Sequence, residues 1–204
     1  IYISPFFSKV VQLIIIMNYI ILAQIYMLGV IMHTIGFVPG AMKPFHAGHN
    51  HLIQRALVEC DKVLVFTSLK DRGIVKGDKM YKAWQDLIIP SLPQHIEVVG
   101  VKSPVGSVYD YLEWNGDPAK AYRIYGGTED IARLSNARML QYFPHLNAIN
   151  VAESDPESFT RDVVHAKGEW VRNSIRAGNL KEFKSYLPAF LKPLAKEYLD
   201  LLVS

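Results

Sequence analysis

"GFVPGAMKPFHAGHNHLIQRALVEC" (residues 36–60) passes from an apolar run through Pro, Gly, Lys, Pro and two histidines straight into a helical pattern. A strand–loop–helix unit of this kind exposes several backbone N–H groups and the positive end of a helix dipole at one place, and that place suits an anion. Pro39-Gly40 is expected to turn the chain out of the strand, and Lys43 offers a mobile ammonium. Gly48 lets backbone approach a ligand without a Cβ in the way. His46 and His49 flank that glycine. Imidazoles three apart across a helix start can both face one anion and donate N–H bonds that strengthen as charge develops on a leaving group. His51 falls on another face and reads as a solvated helix residue. Zinc ligation by the three histidines is disfavoured, because no Glu or Cys stands at ligand spacing and the third imidazole leaves the shared face.

Composition bounds the rest. The chain has 204 residues, half of them hydrophobic and a fifth charged, enough for one domain with a well-buried core. A net charge of +3, without a Lys/Arg run or an aromatic-interleaved basic stripe, gives no nucleic-acid groove. The single cysteine, Cys60, excludes an internal disulfide and a Cys-based zinc cluster, fits a reducing, cytoplasmic setting, and reads as a buried small hydrophobe.

Residues 1–31 differ from everything after them, with one charge, Lys9, and a great excess of Ile and Tyr. The length from Val10 to Ile31 would span a bilayer. Gln12, Asn18 and Gln24 interrupt the apolar run, and neither a basic leader region nor a small-residue cleavage site is present. The composition is that of AT-rich codons, and "LGVIM" back-translates to a ribosome-binding sequence ahead of an ATG. The favoured expectation is therefore upstream DNA translated in frame, with the start at Met32, no membrane partner, and residues 32–204 as the working domain (core 32–188, terminal helix 189–204). A true membrane segment and a buried extra helix are the alternatives.

From Met32 onward, strand-like runs alternate with helical patterns. Strands are predicted at His33–Val38, Lys62–Ser68, Ile96–Val101, Ala121–Tyr125 and Ala148–Val151. Helices are predicted at Gly48–Cys60, Lys79–Ile89, Val105–Trp114, Ile131–Tyr142, Lys167–Ala177, Leu180–Tyr186 and Pro193–Leu202. The alternation predicts an α/β, Rossmann-like, doubly wound five-stranded parallel sheet with C-terminal helices. Ligands of such sheets bind beyond the strand C-termini. Three segments are expected on that rim: Pro39–His49 after the first strand, Gly126–Thr128 after the fourth, and Ser154–Gly168 after the fifth. Trp84, Trp114 and Trp170 are expected to be core or helix-packing residues, with Trp170, beside Arg172, also able to reach a base, and the apolar stripe of residues 182–202 to be core or an oligomer contact.

"GFVPGAMKPFHAGHNHLIQRA" resembles the nucleotidyltransferase branch of the HIGH-motif superfamily, which includes nicotinamide mononucleotide adenylyltransferase, pantetheine-phosphate adenylyltransferase and glycerol-3-phosphate cytidylyltransferase. "SPVGSVYDYLEW", "AYRIYGG" and "KGEWVRNSIRAGNLKEFKSYLP" resemble later segments of that family. Two departures stand out. Nicotinamide-type members usually carry Arg and Gln where this chain has Ala41 and Lys43, and the Ser and Thr of the C-terminal motif are replaced by Lys167 and Glu169, with Arg172 kept. Ser158 and Thr160 could supply those hydroxyls from the preceding loop. The resemblance implies transfer of AMP from ATP, in preference to CMP from CTP, to a small phosphorylated acceptor, with Mg²⁺ carried on the phosphates. It implies His46, His49 and Lys43 as catalytic, and Pro39, Gly40, Ala41, Gly48, Gly126, Gly127, Thr128 and Arg172 as nucleotide-binding.

Overall fold

The computed structural model describes residues 33–127, 133–146, 148–153 and 166–204. Residues 1–32, Thr128, and the part of the expected rim segment Ser154–Gly168 that holds Ser158 and Thr160 lie outside them, so the expectations for the N-terminal segment and for those residues do too. Among the described residues no helix is long and apolar enough to cross a membrane.

Five strands, β1 (Thr34–Gly40), β2 (Lys62–Ser68), β3 (Ile96–Val101), β4 (Ala121–Gly126) and β5 (Ile149–Glu153), form one sheet of order β3-β2-β1-β4-β5. Every pairing is parallel. The helices are α1 (Ala47–Glu59), α2 (Gly77–Ala83), α3 (Pro104–Asn115), α4 (Asn136–Tyr142), α5 (Gly168–Arg176), α6 (Leu180–Ser185) and α7 (Ala195–Val203). This is the expected doubly wound sheet. Two hydrophobic cores flank it, one holding Ile53, Val65, Trp84, Val171 and Tyr198, the other Phe37, Leu64, Leu112, Ile124 and Met139. Alternation along β2 shows why both faces are apolar: Val63 and Val65 face the first core, Leu64 and Phe66 the second.

Several boundaries differ from the sequence expectation. Strand β1 does not turn out at Pro39-Gly40; it continues beside β2, with Pro39 opposite Phe66 and Gly40 opposite Thr67. Its pairing with β4 stops at Phe37 and Ile124, so Pro39 sits where the strand is paired on one side only and a missing N–H is tolerated. Helix α2 begins two residues earlier than expected and passes after Ala83 into a wider turn at Trp84–Ile88, then a tight one at Ile89–Ser91 around Pro90. Helix α4 begins only at Asn136, because Ser135 caps it by accepting a hydrogen bond from the Arg138 N–H.

Of the three tryptophans only Trp84 is core. Trp114 is 81% exposed, since α3 buries Val108 and Leu112 and Trp114 lies off that stripe. Trp170 is likewise exposed, on the side of α5 away from Val171 and Ile175, with the Lys167 ammonium 5.6 Å from its ring centre. The C-terminal stripe is core: Phe183, Leu187, Leu191, Ala195, Tyr198 and Leu202 are all buried. Cys60 is buried against Gly36, where a Cβ would meet its Sγ at 2.9 Å, and burial pushes its thiol pKa up.

Candidate functional site

The strand order reverses between β1 and β4, whose pairing ends while β1 continues along β2 to Gly40 and β4 along β5 to Gly126. A crevice therefore begins above Phe37 and Ile124, at the topological switch point where parallel sheets bind ligands. Pro39 and Gly40 form one wall and Gly126 the end of the other, followed by Gly127, which has open space where a Cβ would be. Ala41 leads out of the strand and is half-buried.

Beyond Gly40 the chain folds over itself. Met42 adopts a positive φ of 48° and lays its buried side chain back on Gly40, where a Cβ would meet its Cγ and Cε at 3.3 Å. Lys43 is only 2% exposed, and its ammonium donates to the Lys70 carbonyl in the loop after β2. Burial lowers its pKa to about 8, against a raising effect from Asp71, so it is still charged at neutral pH.

The C-terminal helices hold this loop in place. The Phe45 N–H donates to the Tyr198 hydroxyl at 2.9 Å, and the Ala47 N–H to the Tyr186 carbonyl at 2.9 Å. Both partners lie more than 130 residues away in sequence, so the start of α1 is set by the end of the chain.

His46 caps α1 through its Nδ1, which accepts the Gly48 N–H at 3.1 Å. A ring nitrogen that accepts carries no proton, so Nε2 bears the hydrogen and is the donor. The side chain is 5% exposed, and burial with the nearby Arg172 charge lowers its pKa to about 4. His49 stacks on it with ring centres 3.8 Å apart. Burial, His46 and Arg72 keep His49 well below the usual imidazole range, and its buried Nδ1 has no hydrogen-bond partner among the described residues. Two neutral imidazoles therefore share the helix start, as donors rather than charges. Gly48 leaves room for the His46 ring: a Cβ there would stand 3.1 Å from Cε1, a tight contact that the ring would have to relieve. His51, set apart from the pair, is half-buried.

Helix α5 brings Arg172 to the same point. Its Nη1 donates to the Lys43 carbonyl at 2.9 Å and its Nη2 to Glu169 Oε2 at 2.6 Å, and the residue is 7% exposed. The guanidinium thus clamps the site loop as well as presenting charge. Gly168, at the first turn of α5, faces His46: a Cβ there would lie 3.9 Å from Nε2 and 3.2 Å from Arg172 Nη1.

Lys43, His46, Gly48, His49 and Arg172 are thus assembled in one place, while Thr128 lies outside the described residues. The rim also includes a segment that the sequence reading left out, the loop after β2. There Arg72 and Val75 exchange backbone hydrogen bonds, and Gly73 packs against the Arg172 and Arg176 side chains. The signal was present in "TSLKDRG", a strand running into Lys, Arg and Gly at the same edge. Among the described residues no group of three or more His, Cys, Asp or Glu side chains converges as a metal site.

No protein-family model matches the chain, and no curated protein matches it in sequence. Solved structures do match. A putative nicotinate-nucleotide adenylyltransferase from Vibrio parahaemolyticus aligns at a TM-score of 0.55 and 16% identity, over 81% of this chain and 99% of that one. A bifunctional NMN adenylyltransferase/ADP ribose pyrophosphatase from Francisella tularensis aligns at 0.55 and 15%, over 84% of this chain. The same Francisella protein complexed with AMP and a manganese ion aligns at 0.52 and 16%. This chain spans about half the length of the Francisella protein, 53% and 52% in the two structures. The likeness establishes a fold shared with these nucleotide adenylyltransferases.

Proposed function

We propose that the chain is a nucleotidyltransferase that moves AMP from ATP, in preference to CMP from CTP, onto a small phosphorylated acceptor and releases pyrophosphate. The observation that carries this reading is the pair of stacked, neutral imidazoles at the start of α1, with Nε2 the donor nitrogen of His46, beside Lys43 and the Arg172 guanidinium at the switch-point crevice. An acceptor phosphate oxygen attacks the α-phosphorus in line, the bond to the bridging oxygen breaks, and pyrophosphate leaves with the electron pair. Catalysis of this kind needs position and charge stabilisation, and no covalent intermediate.

In this mechanism the His46 and His49 N–H groups donate to the triphosphate and to the oxygens on which charge grows. Being neutral at pH 7, they do so without losing a proton. Lys43 and Arg172 supply positive charge to the phosphates. Pro39, Gly40, Ala41, Gly48, Gly126 and Gly127 line the nucleotide's path. Lys43, Arg172 and the two imidazoles would not ligate a hard cation, so Mg²⁺ would be held by the nucleotide's own phosphate oxygens and would offset their charge.

The test is pyrophosphate release measured over a panel of nucleoside triphosphates and phosphorylated acceptors. Release that depends on ATP and one acceptor class supports the proposal. ATP binding without release for any acceptor would favour a nucleotide-binding module that kept the first motif and lost the second, a reading that Lys167 and Glu169 alone would favour.

A further inference from the structure

Glu169 is a carboxylate where the site otherwise gathers cations. One oxygen accepts from Arg172 Nη2 at 2.6 Å, and the other lies 3.8 Å from Arg176 Nη1. The Arg72–Gly73 turn packs against the same two guanidiniums: a Cβ on Gly73 would lie 3.4 Å from Arg176 Nη2 and 3.6 Å from Arg172 Cδ. The Arg72 charge acts on Glu169 as well, and together the three arginines hold its pKa below the usual carboxylate range. Glu169 also sits in the first turn of α5, where the helix dipole favours an anion, one residue from the glycine that faces His46 Nε2.

The asymmetry of exposure is informative. The Arg172 side chain is 8% exposed and fixed at its other end on the Lys43 carbonyl, whereas the Glu169 side chain is 61% exposed and, among the described residues, is held by arginines alone. The guanidinium is therefore built in, and the carboxylate can swing into solvent by rotating about its own side-chain bonds. A carboxylate set between two guanidiniums, one oxygen toward each, fills the place that the oxygens of a phosphate would take between them.

We propose that Glu169 holds the place of a ligand phosphate among Arg172, Arg176 and Arg72, and that nucleotide binds by displacing it. That the phosphate belongs to a nucleotide rests on the transferase reading above; the displacement of Glu169 by a phosphate does not. The carboxylate keeps the arginines ordered in the free protein and sets a threshold that a singly charged anion does not cross. A pyrophosphate-bearing ligand, with more charge and more oxygens, does.

Calorimetric titration of the full chain with inorganic pyrophosphate, without ATP or acceptor, tests this. Glu169→Gln, which keeps the side chain's shape and removes its charge, is expected to bind pyrophosphate about tenfold more tightly than wild type, with adenosine affinity unchanged. Adding Arg72→Ala or Arg176→Ala to Glu169→Gln is expected to reverse most of the gain. Equal or weaker pyrophosphate binding by Glu169→Gln, no binding by either protein, or a gain indifferent to both arginines would each overturn the proposal. Because no turnover enters the measurement, failure of adenylyl transfer leaves it standing, and failure of displacement leaves the transferase reading standing.

Discussion

Replacing His46 by asparagine separates what its two ring nitrogens do. Nδ1 caps α1 by accepting the Gly48 N–H at 3.1 Å, and Nε2 is the donor proposed for the phosphates. Asparagine is among the best N-cap residues and its side-chain oxygen can take the same N–H, but it cannot place a donor where Nε2 stands. Alanine loses both. His46→Ala is expected to cost about 2 kcal/mol, about 1 from the cap and the remainder from the space left at a buried position, lowering Tm by about 4–8 °C for a chain of this size. His46→Asn keeps the cap and is expected to stay within about 4 °C of wild type. In the pyrophosphate-release assay both variants are expected to lose about 10²-fold in turnover, the size of effect seen when one donor to a developing oxyanion is removed. An asparagine variant turning over at the wild-type rate would confine His46 to capping and remove it from the mechanism.

Acid should destabilise the fold through the same pair of imidazoles. The unfolded chain takes up these protons near pH 6.5, while burial and Arg172 hold His46 down to about 4 in the folded state and His49 is also lowered. The unfolded state then binds more protons, so their stabilising contribution is complete above about pH 6.5 and is lost as pH falls toward 4, by up to about 1.4 kcal/mol per pH unit for each group. Urea unfolding at pH 7, 5.5 and 4.5 measures the slope, and a flat profile would mean that the imidazoles are hydrated. Lys43→Met is expected to weaken ATP binding about tenfold with adenosine binding unaltered; equal loss for both would make the ammonium a brace for the loop after β2, through the Lys70 carbonyl it bonds. Gly48→Ala puts a methyl 3.1 Å from His46 Cε1 and 3.2 Å from Nδ1, so turnover should fall about tenfold as the ring is pushed aside; unchanged turnover would show that the imidazole has slack.

The fold and the loop at the centre of the candidate site were legible in the sequence because their signals are local. Strands β2 and β3 have the bounds that their apolar runs predict, and the turn residues and His-x-Gly-His of residues 46–49 mark a helix start beyond a strand whatever surrounds it. Where the local pattern was ambiguous, neighbours decided. Pro39 could stay in β1 only because β4 stops pairing there, and Trp114 and Trp170 fell outside stripes that other residues filled. What the tertiary structure alone decided is the partner of each buried polar group. Nothing near Phe45 announces that Tyr198, 153 residues away, receives its N–H, or that Arg172 spends one arm on the Lys43 carbonyl and the other on Glu169. Periodicity and capping act over a turn or two of chain, whereas a buried donor must find its acceptor among whichever groups the packing of distant helices delivers. Lys43, His46 and Arg172 could thus be named from the sequence as cations and donors, but their burial and mutual restraint exist only once α5 and α7 have closed over the loop.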